Sequence, residues 1–164
     1  MMMNPPLVSF RRTVLPQDRE SVREIVQSAG FFYPAEVLIA VELVNERLEK
    51  GEASGYHFIF AEIDGKTVGY ACYGPIPCTM ASWDLYWIAV HQKVRGQGIG
   101  KALLRECEAA VRQAGGKRLY IETSGRELYA PTRAFYLANG CILEATLKDF
   151  YAPGDDKCIF VKVL

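Results

Sequence analysis

The segment 84–114 constrains the fold most, because it joins a strand pattern to a helix pattern through a glycine-rich loop. Residues 84–90 are dense in aromatic and β-branched side chains, which is typical of a strand. In 95–101 three glycines stand at every second position, and apolar residues then recur at helical spacing over 101–114. The sequence therefore predicts a strand, a tight loop and a helix in direct succession.

The loop has the properties of an anion site. Glycines leave main-chain N–H groups unshielded, and a helix that starts there adds its unpaired donors and the positive end of its dipole. We expect a phosphate or pyrophosphate as the anion. A dinucleotide fingerprint would need glycine where Lys101 stands, and a nucleoside-triphosphate P-loop would need glycine at Arg95 and Ser or Thr at Ala102. The alternative is a tight strand-to-helix turn without a ligand.

The rest of the chain predicts one mixed domain over residues 1–164, since its length suits a single hydrophobic core. Asp64-Gly65 between two β-rich runs predicts a tight hairpin. In the helix over 101–114 the charged residues, Glu108 among them, are expected to face solvent. The predicted strands are 7–14, 57–62, 67–73, 84–90, 118–123, 142–150 and 158–164, and the predicted helices are one that ends before Gly30, then 34–50, 101–114 and 131–139.

Composition excludes several functional classes. The 19 basic and 19 acidic side chains balance, so no global field favours nucleic acid or an anionic membrane as a partner. The longest apolar run, 85–90, is far shorter than the ~20 residues that span a bilayer, and residues 1–6 lack the pattern of a secretory signal. Five cysteines without a C-x-x-C pair favour a reduced, cytoplasmic setting. His57 and His91 lack metal-ligand spacing, so we expect no metal.

Two motifs resemble those of a known family. Arg95-Gly96-Gln97-Gly98-Ile99-Gly100-Lys101 resembles the R-x-x-G-x-G signature of the GNAT superfamily of N-acetyltransferases, in which this loop cradles the pyrophosphate of acetyl-CoA. Phe135-Tyr136 before Asn139-Gly140 is similar to the family's F-Y-x-x-x-G signature, and 84–90 to its fourth strand. The resemblance implies an α/β (α+β) fold: a central, twisted, mostly antiparallel sheet of about seven strands with about four helices, splayed beside the loop so that the cofactor enters between two strands.

The resemblance also implies a mechanism in which an amine attacks acetyl-CoA directly. Tyr136 is then the general acid that protonates the departing thiolate, and Asp84 stands where some members carry a carboxylate base. Glu122 in the adjacent strand, or an ordered water, is the alternative base. The residues implied to contact the cofactor are Ile88, Ala89, Val90, Arg95, Gly96, Gln97, Gly98, Ile99, Gly100 and Lys101, of which Lys101 is equally compatible with a solvated position.

The sequence departs from the family pattern at two positions. Tyr129 stands where many members carry an asparagine that contacts pantetheine, and Cys141 replaces an aromatic residue after the glycine, which we interpret as core variation. Cys78 precedes the strand 84–90, but no partner base is evident, so we expect an inert thiol.

The expected acceptor is a primary amine of a small molecule, a peptide N-terminus or a lysine. Members often pair through late strands or helices, so the resemblance is compatible with a homodimer. Two alternative functions remain: a non-catalytic acyl-CoA sensor that keeps the loop, and a phosphate-binding interaction module.

Overall fold

The computed structural model describes residues 6–164; residues 1–5, which form most of the N-terminal segment considered above, lie outside the described residues. Within the described chain seven strands and four helices confirm the predicted fold class. In chain order they are β1 (Val8–Arg11), α1 (Asp18–Ser28), α2 (Pro34–Lys50), β2 (His57–Ile63), β3 (Lys66–Pro75), β4 (Ser82–Val90), α3 (Ile99–Gln113), β5 (Arg118–Ser124), α4 (Ala130–Ala138), β6 (Ile142–Ala152) and β7 (Asp155–Val163). Short 3-10 helices lie at Gly51–Ser54, Gln92–Val94 and Glu127–Tyr129.

The strands form one sheet in the order β1-β2-β3-β4-β5-β7-β6. The pairs β1–β2, β2–β3, β5–β7 and β6–β7 are antiparallel, and β4–β5 is parallel. Asp64 and Gly65 have φ values of +50° and +76°, which is the geometry of the predicted tight hairpin between β2 and β3. A mostly antiparallel sheet is therefore confirmed, with a single parallel step among these pairs at β4–β5.

The chain forms two compact units, and β4 contributes to both. The first unit is the described part of Met1–Gly74 with Trp87–Cys107. The apolar faces of α1 and α2 bury Val22, Val26 and Val44 against aromatic side chains of β2 and β3. The Asp18 carboxylate, which is 0% exposed, accepts hydrogen bonds from both terminal nitrogens of Arg11 at 2.8 Å and from the Leu15 N–H at 2.7 Å.

The second unit is Pro75–Tyr86 with Glu108–Leu164. Its core contains Leu119, Ile121 and Phe160, which are at most 2% exposed. Glu108 is 7% exposed and lies 3.5 Å from Lys162 Nζ, so the prediction that it faces solvent is wrong. Helical spacing gives the side of the helix on which Glu108 lies, but it does not show that the fold brings Lys162 to that side. The expectation of a single domain over residues 1–164 stays a prediction.

Candidate active site

The glycine loop is exposed and held at both ends. At its start, the His91 N–H donates to the Val68 carbonyl at 2.7 Å and fixes the end of β4 to β3. At its end, Ile99 is 3% exposed and anchors the first turn of α3 in the core. Gly96 and Gly98 have φ values of +76° and +80°, a region that L side chains rarely adopt. These two glycines are therefore required by the backbone of the loop.

The first residues of α3 present main-chain donors at this loop. The Gly98 carbonyl accepts the first helical hydrogen bond, from the Ala102 N–H at 3.0 Å. The N–H groups from Gly98 to Lys101 precede that bond, so the helix itself supplies them with no acceptor. A Cβ built on Gly96 or Gly98 would meet no atom within 4 Å, so the space beside these amides is open. Unpaired donors, the positive end of a 15-residue helix and open space together favour an anion.

Two basic side chains flank the loop differently. Arg95 Nε donates to the Val90 carbonyl at 3.4 Å, so this side chain contacts the end of β4. Lys101 lies exposed in the first turn of α3. The predicted cofactor residues from Arg95 to Lys101 thus lie at the surface except for the buried Ile99, while their contact with a cofactor stays a prediction.

The predicted pantetheine-binding residues Ile88, Ala89 and Val90 form the end of β4 and are partly buried. The parallel register between β4 and β5 runs from Ser82 opposite Arg118 to Leu85 opposite Ile121. Both strands continue beyond that register. Residues 88–90 therefore follow Leu85, the last residue of β4 in that register, along the chain.

Tyr136 lies on α4 and is 5% exposed. Its ring packs against Phe160 of β7 at 5.6 Å and against Phe135 at 5.4 Å between centroids. Burial raises the pKa of the Tyr136 phenol, with a further rise from Cys141 nearby. The phenol is consequently protonated at neutral pH, the state that a general acid needs.

Asp84 and Glu122 occupy neighbouring strands. Asp84 pairs with Tyr120 in the β4–β5 register, and Glu122 follows two residues later, so alternation places both carboxylates on one face of the sheet. Burial and, second, Glu122 raise the pKa of Asp84 above its ordinary value, whereas Lys157 lowers it. The structure therefore places Asp84, the predicted base, and Glu122, its alternative, on one face of two neighbouring strands.

Tyr136 lies on the face of the second unit's strands that is opposite to Asp84 and Glu122. Ile121 pairs with Phe160 in the β5–β7 register, so Phe160 and the Tyr136 ring beside it lie on the face opposite Glu122. The predicted acid and the predicted base are thus separated by the thickness of the sheet at β5.

The two departures from the family pattern have different surroundings. Tyr129 is the residue before α4, with the Arg126 guanidinium 5.5 Å from its ring centre. Cys141 is 4% exposed beside Tyr136, and burial raises its pKa to about 11. Cys141 is thus a packed core thiol.

Lys157 is a feature of the site that sequence analysis missed. Its Nζ lies 2.7 Å from Glu122 Oε2 and 4.1 Å from the centre of the Phe150 ring. The pairing depends on β7 lying next to β5, which no local pattern indicates. Among the described residues no group of three or more His, Cys, Asp or Glu could hold a metal ion, and no helix is long and apolar enough to cross a membrane.

Comparisons with known proteins agree with this geometry. Residues 20–140 match the family model described as acetyltransferase (GNAT) family. A crystal structure from Desulfovibrio desulfuricans, assigned as an acetyltransferase of the GNAT family, is 53% identical with a TM-score of 0.94 and covers 96% of this chain and 99% of its own. PaiA N-acetyltransferase from Thermoplasma acidophilum, solved in complex with coenzyme A, shares the fold at 20% identity and a TM-score of 0.72, with coverage of 95% of this chain and 99% of its own.

A curated relative is named tRNA(Met) cytidine acetyltransferase TmcA, from Aeropyrum pernix. It is 28% identical over an alignment of 150 residues, and the match covers 81% of this chain. The match spans only 20% of the length of that relative.

Proposed function

The chain belongs to the acetyltransferase (GNAT) family, and from that premise we propose that it transfers an acetyl group from acetyl-CoA to a primary amine. The observation that carries the proposal is the exposed loop of Gly96 and Gly98 at the start of α3, where unpaired amides face open space. Such a cradle suits the pyrophosphate of acetyl-CoA, and a related fold was solved with coenzyme A bound.

The pantetheine arm would follow the end of β4. Ile88, Ala89 and Val90 follow Leu85, the last residue of β4 in the β4–β5 register, and the Val90 carbonyl accepts from Arg95, so we assign the main-chain groups of Ile88 and Ala89 to an extended amide chain. Arg95 supports the position of this segment through its bond to the Val90 carbonyl. The chain's own contribution at this step is to bind and orient the thioester.

The chemical step requires a neutral amine and a proton for the departing thiolate. The amine must be neutral, although an ordinary lysine-type amine has a pKa of about 10.4, so a base is needed. The amine nitrogen attacks the thioester carbonyl, the C–S bond breaks, and the thiolate takes a proton. We assign the base to Asp84 and the acid to Tyr136, whose buried phenol is protonated at neutral pH. Because these residues lie on opposite faces, acceptor and cofactor would approach the reacting carbonyl from opposite sides.

The acceptor is a primary amine of a small molecule, a peptide N-terminus or a lysine. The net charge of zero gives no electrostatic support to an RNA acceptor, since affinity for nucleic acid depends strongly on neutralising phosphates. An acceptor screen that follows liberated CoA thiol tests the proposal directly. If CoA binds and no amine provokes thiol release, the chain is an acyl-CoA sensor. If free phosphate competes fully and the pantetheine arm adds no affinity, it is a phosphate-binding module.

The role of Tyr136 is tested by Tyr136→Phe with Tyr70→Phe as a matched control. Both tyrosines are buried, at 5% and 0% exposure, so each substitution removes one hydroxyl from a packed site. We expect Tyr136→Phe to slow thiol release by about 100-fold, the ordinary size of general acid catalysis. Tyr70→Phe should leave the rate unchanged. Equal rates for the two variants would remove the acid role from Tyr136.

A further inference from the structure

Asp84 of β4 and Glu122 of β5 lie on one face of the sheet, which we call the acidic face, and of these two carboxylates Glu122 has an ion-pair partner. Glu122 Oε2 lies 2.7 Å from Lys157 Nζ. Within residues 6–164, the Asp84 carboxylate has no hydrogen bond and no cation within 4.0 Å, although this side chain is partly buried. Two carboxylates on neighbouring strands with different partners are expected to differ in the ease with which they accept a proton.

Lys157 is held in place from two sides. Its side chain is 13% exposed, and its ammonium contacts the Phe150 ring of β6 at 4.1 Å as well as Glu122 of β5. In the registers Lys157 stands opposite Ser124 of β5 and Leu147 of β6. Alternation along β5 puts Ser124 on the face of Glu122, so Lys157 lies on that face too. The Glu122 side chain of this ion pair is 48% exposed, so the burial of Lys157 and its contact with the Phe150 ring fix the position of the cation more than the ion pair does.

We propose that Lys157 is a positioning residue: it commits Glu122 to an ion pair, and thereby leaves Asp84 as the carboxylate that accepts the proton of the acceptor amine. The inference rests on the proposed function and deepens it, because it decides between the two candidate bases. The proton passes from the amine nitrogen to the free Asp84 carboxylate as the N–C bond forms, while Glu122 stays bound to the Lys157 ammonium.

The charges that act on Asp84 support this division of roles. Burial and, second, Glu122 of β5 raise the pKa of Asp84, and Lys157 of β7 lowers it, so the Lys157 cation opposes the effect of the Glu122 charge. Tyr120 is the register partner of Asp84. Burial and, after it, the charges of Glu122 and Asp155 raise the pKa of Tyr151 of β6. Without the Lys157 cation, the Glu122 charge would be uncompensated and the pKa of Asp84 would rise.

The test is the pH dependence of kcat/KM with one fixed acceptor. Since Asp84 must be ionised to act as base, kcat/KM falls as pH drops through the pKa of Asp84. We call this fall the acid limb of the pH profile. We expect Lys157→Met to move this acid limb to higher pH by about 0.5 to 1 unit, the size that one nearby charge produces. Lys157→Arg should restore the limb, because it keeps the cation. Lys148→Met removes an exposed lysine of β6 and should leave the limb in place.

The variant Glu122→Gln distinguishes a Glu122 that only forms the ion pair with Lys157 from a Glu122 that acts as the base. Glu122→Gln leaves the Lys157 cation uncompensated, so the acid limb should move to lower pH. The double variant Glu122→Gln with Lys157→Met should return the acid limb toward its original pH. Asp84→Asn should lose at least ~10-fold more activity than Glu122→Gln, as expected where one carboxylate acts as base. If Glu122→Gln loses as much activity as Asp84→Asn, or if folded Lys157→Met keeps the original limb, the inference is overturned.

A second measurement is independent of turnover. The carboxyl carbon of Asp84, observed by NMR during a pH titration, reports its pKa without any acceptor. We expect this pKa to rise in Lys157→Met and to stay in place in Lys148→Met. Failure of the acceptor screen would overturn the proposed function but leave this shift intact. An unchanged Asp84 titration in Lys157→Met would overturn the role of Lys157 itself.

Discussion

Gly98→Ala tests whether the loop amides bind the diphosphate of CoA. Gly98 has a φ of +80°, and a Cβ there would meet no atom within 4 Å. The substitution therefore adds backbone strain of about 1–2 kcal/mol without any clash. For a chain of this size each kcal/mol lowers Tm by about 2–4 °C, so we expect a fall of about 2–8 °C.

Gly65→Ala is the matched control for this variant. Gly65 lies at the tip of the β2–β3 hairpin with a φ of +76° and equally open space around a Cβ. Its substitution should lower Tm by a similar amount through the same strain. Only at Gly98 does the added methyl group occupy the space beside the unpaired amides of α3.

Binding of CoA then separates the two variants. By isothermal titration we expect Gly98→Ala to weaken CoA at least ~10-fold, which corresponds to ~1.4 kcal/mol. Gly65→Ala should bind CoA as the parent chain does. If both variants lose the same stability and bind CoA equally well, the loop does not hold the diphosphate and the proposed function loses its main support.

Three further predictions concern the cores of the two units. Tyr70→Phe removes a buried hydroxyl that has no hydrogen-bond partner among the described residues, so we expect urea unfolding to show a gain of about 1 kcal/mol; a loss would mean that the hydroxyl has a partner. Asp18→Ala removes the buried carboxylate that accepts from Arg11 and from the Leu15 N–H, while Glu62 stays paired with Arg11, so the free energy of unfolding should fall by about 1–3 kcal/mol, more than in Asp18→Asn; equal losses would show that charge is unimportant there. Gly116→Ala would place a Cβ 2.3 Å from Val111 Cγ1 and 2.8 Å from Trp83, so thermal unfolding should show a loss of about 1–3 kcal/mol, and an unchanged Tm would contradict it.

Much of the fold could be predicted because its signals are local. The hairpin at Asp64-Gly65 and the bounds of α2 (Pro34–Lys50) are as expected. Element ends differ by a few residues: α3 begins at Ile99, two residues before the predicted start, and β6 extends to Ala152. Helix and strand ends depend on the packing of neighbouring elements, so periodicity alone locates them poorly.

The sequence by itself determined the glycine loop and the main-chain donors that it presents at the start of α3. The residues from Arg95 to Lys101 are contiguous, and positive φ at Gly96 and Gly98 followed by unpaired N–H groups at a helix start needs no distant partner. Only the tertiary structure decided which side chains share the acidic face. Asp84, Glu122 and Lys157 lie on one face because β4, β5 and β7 are neighbours in the sheet. Alternation within a strand fixes the face on which a side chain lies, but it does not determine which strand lies beside it.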